Sequence, residues 1–223
     1  MGVGHVALAL GASRAAPRVN VGWLVFAALL SDFLLGIFAW LGLEHATVPA
    51  HYESRHYLLF TFPYSHGLLA LLLWAAIAGF LISRAYGFDS KRVLIVVALV
   101  VLSHFILDGL VHVAGLPLVG ENSPKLGLGL WNHLPLELWL ETLMSLVGIA
   151  LYWKLAGAAK SALGRWGMAI FVTLVAAMTW TQLLETKAPK PEQLIAAWIV
   201  VPLLFSAIAY GLDRRRCREL AVR

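Results

Sequence analysis

The sequence predicts an all-α protein, a polytopic membrane bundle of about six transmembrane helices with a short N-terminal half-helix. Of its 223 residues, 61% are hydrophobic and only 13% are charged, whereas soluble domains carry about 25% charged residues. The apolar residues also form six long runs, each about the length that a helix needs to cross a bilayer. These runs cover roughly residues 20–43, 64–84, 92–115, 136–157, 164–184 and 192–212.

An earlier apolar run, residues 3–12, is too short to span a membrane, because spanning takes about 20 helical residues. Arg14 follows this run and marks the predicted inner interface. His5 lies nine residues before Arg14, roughly 13 Å along a helix, and so close to the midplane of the bilayer. The geometry permits, without requiring, a half-helix that rises into the bundle and brings His5 near Asp32.

No internal repeat, low-complexity stretch or linker divides the chain, so we predict a single membrane-embedded domain over residues 1–223. The core of its functional site is expected within about residues 1–145, and residues 160–213 add two further membrane helices. The single cysteine, Cys217, excludes a disulfide framework and a site built on thiolates.

The Lys and Arg residues are concentrated in loops that six spans and a cytoplasmic N-terminus place inside. The outer loops hold only Arg55, Lys125, Lys187 and Lys190. The inner regions hold Arg14, Arg18, Arg84, Lys91, Arg92, Lys154, Lys160, Arg165, Arg214, Arg215, Arg216, Arg218 and Arg223. The positive-inside rule therefore predicts a multi-pass protein of a bacterial-type cytoplasmic (inner) membrane, with both termini cytoplasmic.

The net charge of +5 is explained by these inner loops, so we expect the lipid bilayer, and no nucleic acid, as a partner. The Arg214–Arg216 cluster is interpreted as a signal that stops and orients the last helix near anionic lipid. No cleaved signal peptide is expected, because no basic residue precedes the first apolar run. The histidines of the outer loop at residues 44–63 are interpreted as solvated side chains.

Three ionisable residues, His104, Asp108 and His112, recur every fourth position in the third span and so share one helical face. Such residues are costly in hydrocarbon and usually mark a functional site that carries a metal ion or a proton. An interhelical hydrogen bond that fixes packing is the structural alternative for His104 and Asp108.

Other intramembrane polar residues converge on the outer half of the membrane, where the third span ends. The predicted metal ligands are His5, Asp32, His66, His104, Asp108, His133 and Glu137. Orienting roles are predicted for His112, Ser65 and Ser103, and catalytic roles for Asp32, Glu137 and Glu141. Imidazole and carboxylate ligands without thiolate favour one to three divalent ions, with Zn²⁺ preferred over Mn²⁺ or Fe²⁺.

Several short motifs in the first 120 residues resemble the YdjM-type family of inner-membrane metal-dependent hydrolases. The motifs are Gly4-His5, Ser31-Asp32, Ser65-His66, Ser103-His104-x3-Asp108 and Gly115-Leu116-Pro117-Leu118. Two departures concern ligands: the family's Asp-rich turn lacks a second carboxylate here, and Phe62-Pro63-Tyr64 replaces its His-Arg-Gly. The resemblance implies metal-dependent hydrolysis in the inner membrane.

A more distant similarity is to the all-helical zinc phospholipase C and single-strand nuclease group. It rests on His104/Asp108 followed by His133/Glu137, with Pro135 between the last two. This similarity implies phosphoester cleavage at a trinuclear zinc site.

We therefore predict a metal-dependent hydrolase that cleaves a small-molecule or lipid phosphoester at a site open to the extracytoplasmic side. The bound ion would activate water for attack on phosphorus, and Glu137 or Glu141 would bind a further ion or relay the proton. The alternative is a proton- or metal-coupled transporter that uses the same His and Asp residues as a transient site.

Overall fold

Helices form most of the part of the chain described by the computed structural model, which is residues 1–86, 90–155 and 162–221. The class prediction, all-α, is confirmed. The helices are α1 (Gly2–Ala12), α2 (Val21–Ala28), α3 (Leu30–Trp40), α4 (Tyr52–Arg55), α5 (Leu68–Arg84), α6 (Ser90–Val111), α7 (Leu134–Leu155), α8 (Ala162–Thr179) and α9 (Pro191–Ala221). The strands are β1 (His45–Thr47), β2 (Leu59–Thr61), β3 (Val113–Pro117) and β4 (Lys125–Leu128).

Within the described residues, four helical stretches are long and apolar enough to cross a membrane, and they identify a membrane protein: Lys91–Val111, Leu130–Lys154, Trp166–Leu184 and Pro191–Arg214. The bent pair α2 and α3 makes a fifth if it is counted as one span. The predicted number of six is not confirmed, because α5 is a shorter apolar helix. Two residues used to predict orientation, Lys160 and Arg223, lie outside the described residues.

Helix α1 is apolar around its whole circumference, which is the pattern of a helix enclosed by protein. Its residues Val3, Val6, Ala9 and Leu10 have no exposed surface. It packs against α7, α2, α6 and α8. The short N-terminal helix expected from the sequence is therefore present, and it carries His5 into the interior.

Glycines allow the closest approaches between helices, as is common in membrane bundles. A Cβ atom at Gly148 of α7 would lie 2.5 Å from the carbonyl oxygen of Ala7 in α1. At Gly22 of α2 it would lie 2.6 Å from the carbonyl oxygen of Ser206 in α9. At Gly79 of α5 it would lie 2.8 Å from a carbonyl oxygen of α6.

Gly148→Ala is expected to lower the free energy of unfolding by about 1–3 kcal/mol, the usual cost of overpacking a core, because α1 must move away from α7. Gly211→Ala is the control, since a Cβ at Gly211 meets nothing within 4 Å. Thermal unfolding followed by circular dichroism in detergent measures both changes. Equal melting temperatures for the two variants would contradict this packing argument.

The polypeptide bends by 52° between α2 and α3. Leu29 lies at the junction with φ −101° and ψ 9°, outside the helical region. No glycine or proline occupies this junction. The bend leaves the carbonyl oxygen of Ala28 directed at α6, where it accepts a hydrogen bond from His104 Nδ1 at 2.7 Å.

Two antiparallel hairpins, β1–β2 and β3–β4, contact each other through β2 and β3. The second hairpin is held to the end of α6, because Gly129 N donates to the carbonyl oxygen of His112 at 2.8 Å. Gly127 has φ +155°, and a Cβ there would lie 2.3 Å from the same oxygen. The first hairpin thus precedes the segment that carries His66, and the second directly follows His112.

A buried ion pair lies within α9, and further hydrogen bonds of its arginine hold the end of that helix to the segment before α2. Arg216 donates to both carboxylate oxygens of Asp213 at 2.7 Å, and to the carbonyl oxygens of Pro17 and Val19. Tyr152 of α7 donates to the same carboxylate at 2.7 Å. The interpretation of the arginine cluster as lipid-facing is therefore wrong for Arg216, although Arg214 is exposed.

Candidate metal centre

Four elements bring their His and Asp residues together inside the bundle. His104 and Asp108 lie one turn apart on α6, Asp32 on α3, His66 just before α5 and His5 on α1. Two groups of three have ligand atoms that all lie within 4.8 Å of one another: His5, His104 and Asp108, and Asp32, His66 and His104. His104 belongs to both groups.

The hydrogen bond from His104 to Ala28 determines which imidazole nitrogen faces the cluster. A carbonyl oxygen can only accept, so Nδ1 of His104 carries the proton. In the neutral ring, Nε2 therefore presents its lone pair to the cluster. This is how metal-binding histidines are commonly oriented by a partner behind the ring.

His66 is oriented in the same sense through Ser65 and Glu44. The hydroxyl group of Ser65 donates to Glu44 Oε2 at 2.6 Å. That hydroxyl has one proton, so it accepts from His66 Nδ1 at 2.8 Å. The lone pair of His66 Nε2 then also faces the cluster.

Glu44 also accepts backbone hydrogen bonds, from Tyr64 N at 2.7 Å and from Ser65 N at 2.9 Å. Its side chain is buried. Burial raises the pKa of Glu44 above its ordinary value, and the hydrogen bonds from Ser65 and Tyr64 oppose that rise.

The two Nε2 atoms lie 3.2 Å apart, so two lone pairs face each other. Asp108 Oδ2 lies 3.2 Å from His104 Nε2 and 3.7 Å from His66 Nε2. Asp32 Oδ1 lies 3.9 Å and 3.8 Å from the same two atoms. Two carboxylates and two electron pairs at these distances repel one another, and a cation among them would relieve that repulsion.

The other oxygen of Asp108 is held by α1. His5 Nε2 lies 3.0 Å from Oδ1, and the amino nitrogen of Met1 lies 3.1 Å from it. The ring of His5 also stacks on that of His104, with centroids 3.9 Å apart. His5, expected as a ligand, thus contacts Asp108 with one nitrogen, while its Nδ1 is buried without a hydrogen-bond partner among the described residues.

His112 contacts the cluster from the hairpin side, with Nε2 3.4 Å from Asp108 Oδ2. Aromatic rings enclose it: Phe60 and Phe62 have centroids 5.6 Å and 5.4 Å from its own, and Trp131 has one at 4.0 Å. His112 therefore lies next to Asp108, and its orienting role stays a prediction.

Glu137 and Glu141 lie one turn apart on α7, and both are buried. Glu141 Oε1 accepts from Gly4 N at 3.4 Å. One oxygen of each carboxylate, Oε2, has no hydrogen-bond partner among the described residues. In the part of the chain that the structure describes, neither carboxylate belongs to a group with ligand spacing, and the contact with Gly4 puts Glu141 beside α1.

Two residues expected at the site lie elsewhere. His133 is exposed in the 3₁₀ turn Leu130–His133, which precedes α7 and places it on a different face from Glu137. The hydroxyl group of Ser103 donates to the carbonyl oxygen of Val100, 2.6 Å away in its own helix. Ser65, by contrast, contacts His66 as expected.

Only one of the clustered acids and imidazoles is substantially exposed. Asp32 exposes 29% of its side chain, whereas His66, His104 and Asp108 expose at most 3%. The accessible side of the cluster is therefore the side of Asp32.

Comparisons with protein-family models, with curated proteins and with solved structures find no match to this chain. The buried His and Asp groups themselves are what identify a place where a metal ion could bind.

Proposed function

We propose that this protein is a membrane-embedded hydrolase that uses one divalent ion held by Asp32, His66, His104 and Asp108. The single observation that carries the proposal is the pair of Nε2 lone pairs, 3.2 Å apart and flanked by two carboxylates. Hydrogen bonds behind both rings favour this orientation, as expected for ligands rather than for packing contacts.

The distances suit a small divalent ion. Zinc binds imidazole nitrogen at about 2.0–2.1 Å, so neighbouring ligands of a tetrahedral site lie about 3.3 Å apart. The separations between either histidine and its neighbours run from 3.2 to 3.9 Å, close to those of a tetrahedral site, and the proposal needs Asp32 and Asp108 to move onto the same ion. One ion is proposed, because His104 belongs to both groups and has a single nitrogen free for ligation.

Hydrolysis is proposed because one side of the cluster is accessible. A bound ion supplies Lewis acidity and lowers the pKa of water. Because Asp32 is the exposed member of the set, we propose that substrate and water approach on its side and that its carboxylate orients the water. Glu137 and Glu141, each with one oxygen that has no hydrogen-bond partner among the described residues, are the proposed acceptors of the proton that the reaction releases.

A phosphoester, either soluble or part of a lipid, is the proposed substrate, and zinc is the proposed ion. This choice rests on the motif resemblance to the YdjM-type hydrolases, and membership of that family is part of the same proposal.

Six membrane crossings, cytoplasmic termini and a bacterial inner-membrane location are proposed on the charge distribution of the loops. Helix α5 supplies the crossing that length alone leaves open: its 17 residues are at the lower limit for a span. It packs along α6, whose stretch is long enough to cross.

The protein purified in detergent is expected to contain about one zinc, manganese or iron ion per chain by elemental analysis. Hydrolysis of a p-nitrophenyl phosphodiester should stop when a chelator removes the ion and return when the ion is added, because the ion supplies the Lewis acidity. A metal-loaded protein that moves the ion across liposomes without hydrolysing esters would instead assign the carrier function.

A further inference from the structure

We infer that Glu44 is a positioning residue for the metal ligand His66 and acts on it through Ser65; this inference rests on the proposed function. Glu44 belongs to the segment between α3 and β1 and lies outside every motif discussed above. Among the described residues, the hydrogen-bonded link from its carboxylate to His66 runs through the Ser65 hydroxyl group.

Glu44, the Ser65 hydroxyl group and His66 form a hydrogen-bonded relay. Its donors and acceptors determine the direction in which each proton points. Glu44 receives two backbone N–H groups on Oε1 and the Ser65 hydroxyl on Oε2. An ionised carboxylate only accepts hydrogen bonds. Ser65 must therefore direct its proton at Glu44 and its lone pair at His66, which keeps Nδ1 of that ring protonated and Nε2 free to bind metal.

The relay is built into the fold and is not a chance contact of mobile side chains. Glu44, Ser65 and His66 are all at most 2% exposed. The antiparallel pair β1–β2 joins His45 to Thr61, so the chain that follows Glu44 returns beside it just before Ser65. The ring of His66 also lies 4.5 Å from that of Phe62, centroid to centroid, which limits its rotation.

The variant Glu44→Gln tests the direction because it is nearly the same shape. Its amide oxygen accepts the two backbone N–H groups, which leaves its NH₂ group facing Ser65. Ser65 must then donate to His66 Nδ1, and the ring proton moves to Nε2, where it blocks the metal. Glu44→Gln and Ser65→Ala are expected to weaken zinc binding about 10- to 100-fold, the usual effect of losing a partner of a ligand.

Two controls separate this relay from general effects. Glu121→Gln removes a carboxylate that interacts electrostatically with Glu44 but pairs with Lys125, and it should leave zinc affinity unchanged. Ser65→Thr keeps the hydroxyl group and should retain affinity, whereas Ser65→Ala should lose it, so this pair of variants gives a test even if Glu44→Gln fails to fold.

Nitrogen-15 NMR of the metal-free protein, with labelled histidine, reads the tautomer of His66 directly. The wild type is expected to be protonated at Nδ1 and Glu44→Gln at Nε2. Protonation of wild-type His66 at Nε2, or wild-type zinc affinity in both Glu44→Gln and Ser65→Ala, would overturn the inference. If the tautomers are as expected but the wild type takes up no zinc, the relay stands and the hydrolase proposal fails.

Discussion

Replacing His104 with asparagine is expected to remove the bound ion and lower metal affinity at least about 100-fold, more than the loss of an orienting partner costs. The asparagine amide takes the place of Nδ1 and can still donate to Ala28. The variant lacks Nε2, which is the nitrogen that faces Asp108, His66 and Asp32. Zinc titration with a competing chelator measures the change.

His133→Ala is the matched control for this experiment, because His133 is an exposed histidine outside the cluster. It should bind zinc as the wild type does. His104→Ala differs from His104→Asn by leaving the carbonyl oxygen of Ala28 without its donor, at a cost of about 1–3 kcal/mol. Full metal content in His104→Asn would refute the proposed ligand set.

Replacing Arg216 with alanine is expected to lower the free energy of unfolding by about 3–5 kcal/mol, the usual cost of breaking a buried ion pair on one side. The change leaves the Asp213 carboxylate in an apolar interior without its bidentate partner. It also removes the donor for the carbonyl oxygen of Val19, 2.8 Å away. Denaturant unfolding in detergent, followed by circular dichroism, measures the loss.

Arg214→Ala removes the same charge from an exposed position of the same helix and should change stability by no more than about 0.5 kcal/mol. Arg216→Lys should fall between the two variants, because an ammonium group keeps the charge but cannot donate in parallel to both carboxylate oxygens. Equal stability of Arg214→Ala and Arg216→Ala would show that burial of this pair contributes nothing.

The central part of the site could be predicted from local pattern and depth. His104 and Asp108 share a helical face because they are four residues apart, and this relation depends only on α6 being a helix. Asp32 and His66 could be placed beside them because apolar runs of known length set their depth in a bilayer.

Features that depend on how distant segments meet could not be predicted in this way. No glycine or proline at Leu29 predicts the bend there, yet this bend directs the Ala28 carbonyl at His104. Glu44 looked like one more acid of a polar loop, because only the pairing of β1 with β2 brings it to Ser65. In both cases the position of the residue depends on tertiary contacts between segments that are far apart in the sequence.

Two further differences come from helical register. His133 and Glu137 are four residues apart, but a 3₁₀ turn ends between them and separates their faces. Arg216 could not be told from Arg214 by composition, although it is the arginine that lies three residues after Asp213 and can reach its carboxylate.

The enclosure of α1 has a consequence for biosynthesis. Gly4 and Glu141 are in contact although they are 137 residues apart in the chain, and chains emerge from the ribosome N-terminal end first. Helix α1 must therefore wait, without its principal neighbour, until α7 has been translated and inserted. Docking of α1 brings His5 onto Asp108, so this contact of the centre with α1 is expected to form late, after the helices up to α7 are in place.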